Sequence, residues 1–409
     1  MIQIAKLTGA FAIVISFSML MGGCAMLNKG TFADDLKFLK QYTDVKVLST
    51  PDGKAQIAVS AQLQGRVLTS SAEGENGLSF GWINRELIAS GENNLHINAY
   101  GGEDRFWLGP EGGQFSIFFQ KGVPFDLEHW FTPPPINEEP YEIAEQGPDY
   151  VIYTKDMQLT NYSGAQFKLR MNREIRLLPP EEAARDLNTN IPDGVNMVAY
   201  YSKNKITNTG NKPWRKQTGL LSIWILGMYN HSDSTTVVVP YRAGSVSKLG
   251  PVVNDSYFGK VPVDRLVVKD DCLYFSGDGK YRSKIGLSPH RAKKILGSYD
   301  AKNRVLTIVI YNKPADATDY VNSMWELQDK PFAGDVVNSY NDGPASPGAK
   351  PLGPFYELET SSPAAALPPG LSLTHIHSTF HLTGPEPELD KIAQKNLGVS
   401  LDDIKNALK

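Results

Sequence analysis

The chain has 409 residues, with 41 Lys or Arg against 44 Asp or Glu and a formal net charge of −3, a balance that excludes the basic face or stripe of a nucleic-acid-binding domain. Hydrophobic residues make up 41% and charged residues 21%, the proportions of a packed globule, which excludes disorder as its general state. With 36 Gly and 27 Pro there is punctuation for many turns, and the length suits one large β domain or two to three smaller ones.

Residues 1–23 read as an export signal: Lys6 precedes the apolar run TGAFAIVISFSMLMGG, which has the character of a secretory h-region. Gly22-Gly23 then meets Cys24. That arrangement resembles a bacterial lipobox, with Met21 where Leu is usual, and the resemblance implies a diacylated Cys24 as the mature N-terminus. A membrane partner through that lipid and a place in the bacterial cell envelope, at the periplasmic face of the outer membrane, follow as expectations. A short uncleaved anchor is the alternative, since the run is shorter than most spanning helices. With Cys24 lipidated, Cys272 has no cysteine to pair with, and the fold must rest on its core.

Residues 24–45 form the tether and one short helix, expected over 32–41, where Thr31 can cap, Asp34 sits three residues on, and Phe32, Leu36 and Leu39 share a face. Residues 46–384 carry β-rich runs between turns: VKVLS, QIAVSAQL, GRVLTSS, FSIFF, YVIYT, FKLRMNREIRLL, VAYYSKNKITN, LLSIWIL, TTVVVPY, DRLVVKD, CLYFS and RVLTIVIYN. In FKLRMNREIRLL, Lys168, Arg170, Asn172, Glu174 and Arg176 alternate with Leu169, Met171, Arg173, Ile175 and Leu177, which suits a long strand with one wet face. There is no β-α-β unit and no repeat of fixed period. The Pro/Gly-rich stretch 343–354 reads as a long loop within one domain, because strand-like FYELETS follows at once. Residues 385–409 hold two small helices, 386–396 and 401–408, the second capped by Ser400 with Asp403. The expected fold is therefore all-β, a large antiparallel sandwich with short terminal helices.

Chemistry concentrates in two segments. The first, NAYGGEDRFWLGPEGGQFSIFF over 98–119, has glycines that could let a ligand approach the backbone. Extended DRFWLG would put the fork of Arg105 and the flat ring of Trp107 on one face, with Glu111 close by. A planar ring beside hydrogen-bonding groups is what a sugar needs, having apolar C–H faces and hydroxyl rims; a pair of β-turns around a buried Trp is the other reading. The second, GPFYELETSSPAAALPPGLSLTHIHSTFHLTG over 353–384, puts Glu357 and Glu359 on one strand face about 6.5–7 Å apart, compatible with an acid/base pair and equally with a solvated surface. His375, His377 and His381 also share one side of a strand, opposite Ile376, Phe380 and Leu382. His375 and His377 are expected to face a ligand; no bound metal and no cofactor is expected. NDSYFGKVP (254–262), GKYRSKIGLSP (279–289) and NSYNDGP (338–344) read as polar loops. No phosphate-binding loop, nucleophile elbow or H-E-x-x-H occurs, so nucleotide hydrolysis, serine esterase and zincin chemistry have no support.

LETSSPAAALPPG (358–370) and KITNTGNKPW (205–214) resemble stretches of the aldose epimerases, and 46–384 as a whole resembles a divergent galactose mutarotase-like supersandwich within a Bacteroidetes-type lipoprotein family of no assigned activity. The resemblance implies a carbohydrate partner, Glu359 as general base and a histidine as acid. The chain departs where epimerases carry their acid histidine: here stand Ser222, Ile223 and Trp224. Ordinary mutarotation needs both an acid and a base, so it is not expected unless His96, His375 or His377 stands opposite Glu359. The expected function is a carbohydrate-binding or carbohydrate-processing envelope lipoprotein whose site takes Glu359, His375 and His377 as catalytic groups and His96, Arg105, Trp107, Glu111 and Glu357 as binding groups. The alternative is a non-catalytic scaffold whose partner is another protein.

Overall fold

The computed structural model describes residues 30–346 and 348–409; the export signal and Cys24 lie outside the described residues. Thr31 and Asp34 form a reciprocal capping box that starts the helix Phe32–Tyr42, which buries Phe32, Leu36 and Leu39. The chain then forms the expected all-β antiparallel architecture. A three-stranded sheet comes first, followed by a ten-stranded and a five-stranded sheet.

The ten-stranded sheet is built around the long strands Tyr150–Thr160, Gln166–Leu177, Asn196–Asn208 and Ser372–Thr383. In Gln166–Leu177 the alternation holds: Leu169, Met171, Arg173, Ile175 and Leu177 are buried while Lys168 and Arg170 are exposed. Arg173 is the polar member of the dry face and is satisfied there, donating to Gly65 O at 2.9 Å, Asn204 Oδ1 at 2.5 Å and Asp104 Oδ1 at 2.6 Å. A buried guanidinium needs such partners to offset its desolvation.

The five-stranded sheet runs in the order Ser283–Leu287, Val337–Asn341, Tyr356–Ser361, Ser222–Tyr229, Arg105–Gly109. Ile285, Leu287, Val337 and Leu358 from this sheet pack in one core with Val237, Phe275, Leu296 and Val309 from the ten-stranded sheet. The far side of the ten-stranded sheet is closed by the helices Glu386–Leu397 and Leu401–Asn406, whose Leu389, Ile392, Leu401 and Ile404 cover Leu306, Ile308, Phe380 and Leu382. Burying each such aliphatic or aromatic side chain contributes about 1.5–3 kcal/mol. The capping box of Ser400 with Asp403 is present, and the last helix ends at Asn406. No helix among the described residues is long and apolar enough to cross a membrane.

Three local expectations change. FSIFF is not a strand: only Phe119 makes a bridge, to Trp130, and the segment is held by burial of Ile117, Phe118 and Phe119 instead of by a ladder. Parts of two of the three stretches read as polar loops are strands of the five-stranded sheet, Ser283–Leu287 and Val337–Asn341. The glycine pairs of the early segment face other parts of the protein, not a ligand: Gly101, Gly102 and Gly112 face backbone and Gly113 the side chain of Gln328. A Cβ on Gly101 would lie 2.0 Å from Trp82 O, and one on Gly112 would lie 2.3 Å from Met324 O.

Candidate functional site

Alternation along each strand sorts the five-stranded sheet into an inner and an outer face. Phe106, Leu108, Ile223, Ile225, Ile285 and Leu358 point into the sandwich core. Their neighbours Arg105, Trp107, Trp224, Leu226, Lys284 and Glu357 point outward and line a cleft of about 430 Å³, a size common for ligand sites. Register brings them together: Glu357 lies across from Tyr340 and Met228, while Glu359 lies between Asn338 and Leu226, and Leu226 is across from Arg105. The remaining walls come from loops, with His96, Glu111, Trp130, Arg282, Trp325, Asp342 and Phe355 among them.

Aromatic rings form a continuous surface in this cleft. Trp107 meets Trp224 edge-on at 5.6 Å between centroids and Trp130 at 6.4 Å, and Trp130 stacks on Trp325 at 5.8 Å. Two ion pairs sit among the rings. Arg105 Nη2 donates to Glu357 Oε1 at 3.0 Å, with the guanidinium carbon 4.2 Å from the Trp107 centroid. Lys284 Nζ donates to Glu359 Oε2 at 2.9 Å, 4.7 Å from the Trp224 ring, and Trp224 Nε1 donates to the same oxygen at 2.8 Å. Burial pushes the Glu357 carboxyl up to about 8, with Arg105 opposing and Glu359 adding to the shift. Burial likewise raises Glu111, against the pull of Lys284. For Lys284, burial favours loss of the proton, but Glu359, Glu111 and Glu357 outweigh it and hold the ammonium charged. The cleft therefore offers flat apolar faces, fixed cationic donors, and a carboxyl whose proton affinity is raised by burial.

Of the residues singled out in the sequence, His96, Arg105, Trp107, Glu111 and Glu357 line this cleft. His96 is partly exposed, its Nδ1 2.6 Å from the carbonyl of Trp130. Glu359 lies one layer behind, fully buried, and among the described residues its side chain is hydrogen-bonded to the cleft through Lys284 and Trp224. His375 and His377 are not brought to it. Both are 0% exposed between the sheets, where His375 Nε2 and His377 Nδ1 each lie 2.8 Å from Thr360 Oγ1. The physical reason is strand parity: Thr360 and the histidines occupy inward positions, whereas Glu357 and Glu359 face out. Burial lowers His375 to about 3 and His377 to about 4, so each imidazole is neutral at physiological pH and is no proton donor there. His381 is interior as well, its Nε2 3.0 Å from Glu103 Oε2. The early glycine segment and the late glutamate-histidine strands thus meet twice: Arg105 reaches Glu357 at the cleft, and Glu103 reaches His381 inside.

Sequence reading missed Lys284, Arg282, Tyr340, Trp130 and Trp325 as cleft residues. Alternation in SKIGL and VNSYN was the available signal for Lys284 and Tyr340; the loop residues carried none.

The sequence matches the Family of unknown function (DUF6786) over residues 30–408. The chain belongs to that family. No curated protein matches the sequence. Among solved structures, this DUF6786 chain is similar to a candidate aldose 1-epimerase from Escherichia coli K12, at 12% identity and TM-score 0.47, covering 84% of this chain and 100% of that one. It is similar to the Slr1438 protein from Synechocystis sp. PCC 6803, at 11% identity and TM-score 0.47, covering 84% and 98%. A galactose mutarotase-like protein from Lactobacillus casei ATCC 334 follows at 10% identity and TM-score 0.45, covering 83% and 100%. These likenesses concern the chain trace; the chemistry of the DUF6786 cleft rests on its own residues.

Proposed function

We propose that the protein binds or processes carbohydrate in the cleft of the five-stranded sheet, as a lipid-anchored protein of the bacterial cell envelope. The observation that carries this reading is the array of Trp107, Trp130, Trp224 and Trp325 in one cleft with two buried ion pairs. Indole faces match the apolar C–H faces of pyranose rings, and charged donors and acceptors match their hydroxyls. A processing role would run through Glu357, which lines the cleft and whose proton affinity burial raises, and not through His375 or His377. Ordinary mutarotation stays disfavoured, because Trp224 stands beside Glu359 and an indole N–H is a donor that does not give up its proton.

The test is calorimetric titration with a panel of mono- and oligosaccharides, repeated on Trp325→Ala and Glu357→Gln. Binding that weakens in both variants supports the reading; absence of heat and of thermal shift with every sugar overturns it. Support for the anchor is the sequence of residues 1–24 alone. Fatty-acid analogue labelling of wild type that disappears in Cys24→Ala supports it, and no label in wild type removes it.

A further inference from the structure

Among the described residues, two cations at the cleft hold donors that no protein acceptor takes. Arg105 is 2% exposed; Nη2 serves Glu357, but Nε and Nη1 have no partner among the described residues. A buried charged donor without an acceptor is costly. Arg282 stacks over Phe258, its guanidinium carbon 3.8 Å from the ring centroid, and enters no ion pair among the described residues. Of the neighbouring carboxyls, Glu111 and Asp342 feel the charge of Arg282, and three are hydrogen-bonded to other groups. Glu357 is on Arg105, Glu359 on Lys284 and Trp224, and Asp342 accepts from Tyr340 Oη and Gly353 N at 2.8 Å each. Burial raises the proton affinity of Glu111, Asp342 and Glu357.

We propose that the ligand is a carbohydrate bearing an anionic group, a carboxylate or a sulfate ester, whose charge is taken by Arg105 and Arg282 while its ring lies on the tryptophans. This deepens the carbohydrate reading and rests on it. Guanidinium is suited to the task because its planar fork matches a planar or tetrahedral oxyanion with two donors at once.

The experiment is calorimetric titration of the full chain with three oligosaccharides of matched length: an oligogalacturonate, its carboxyl-reduced neutral counterpart, and a sulfated galactan fragment. The expected result is affinity for an acidic oligosaccharide about tenfold or more above that for the neutral one, the size of one charge-assisted hydrogen bond. The uronate and sulfate arms decide which anion it is. Arg282→Gln, whose side chain is half-buried at the wall, should abolish the preference with an unchanged melting temperature, and Arg282→Lys should restore part of it. Equal affinity for the acidic and neutral sugars overturns this inference while leaving carbohydrate binding in place. Binding to none of the three, together with silence across the wider sugar panel, overturns both.

Discussion

Removing the ammonium from the Lys284–Glu359 pair gives the sharpest test of how the site is held. Glu359 is 0% exposed, and its Oε2 accepts from Lys284 Nζ at 2.9 Å and Trp224 Nε1 at 2.8 Å, whereas Oε1 has no partner among the described residues. In Lys284→Met the carboxylate keeps one donor and loses its counter-charge, with Arg105, Glu357 and Glu111 as further groups that interact with it electrostatically. Breaking a buried pair from one side costs about 3–5 kcal/mol. The double variant Lys284→Met/Glu359→Leu removes both charges and frees the Trp224 N–H, whose lost bond costs about 1–3 kcal/mol. Urea unfolding of wild type, both single variants and the double variant yields the coupling energy, provided the slope with denaturant is unchanged. The expected result is a double variant no less stable than Lys284→Met. A Lys284→Met cost below about 1 kcal/mol, the range of exposed ion pairs, would refute the reading of this pair as a buried one.

Three further outcomes are expected. Trp325→Ala, at a half-buried cleft position, should weaken sugar binding by about tenfold, equivalent to about 1.4 kcal/mol of stacking, read by calorimetric titration below the melting transition of the variant. Gly101→Ala should destabilise by at least about 2 kcal/mol, because Gly101 has φ +91° and a Cβ there meets Trp82 O at 2.0 Å; chemical denaturation reads it. The buried histidines should make stability fall on acidification. Their folded values of about 3 and about 4 lie below the ordinary 6.5, so the unfolded chain takes up protons first and stability is lost from about pH 6.5 downward, by about 2 kcal/mol per histidine at pH 5. Glu357 runs the other way: its raised value gives stability that is fully present below about pH 4.5 and is lost between there and about 8, opposing the histidines over that range. A His375→Asn/His377→Gln variant should flatten the acid limb of an unfolding profile between pH 7 and 5 and leave the alkaline limb alone.

The strand-rich pattern, the two capping boxes and the amphipathic alternation of Gln166–Leu177 were legible because each depends on neighbours within a few residues. Thr31 caps Asp34, Ser400 caps Asp403, and a two-residue period needs no knowledge of the partner strand. Arg105 and Trp107 could be put on one face for the same reason, and Glu357 with Glu359 likewise. The histidines show where this local logic stops. Their common side was correct, but whether that side meets water or the opposite sheet depends on which element covers it. Ile376 and Ser378 turned out partly exposed, while His375 and His377 are sealed against Thr360.

From the order of residues alone came the β class, the terminal helices, and five cleft side chains: His96, Arg105, Trp107, Glu111 and Glu357. Only the packing of the sheets decided that Glu357 faces the cleft while Glu359 lies behind Lys284 and Trp224, and that the histidines are interior and uncharged. Pairing of strands more than a hundred residues apart, such as Arg105–Gly109 against Ser222–Tyr229 and Ser222–Tyr229 against Tyr356–Ser361, fixes which faces meet. Alternation along a strand assigns two sides, and only the neighbour that covers one of them determines which is dry.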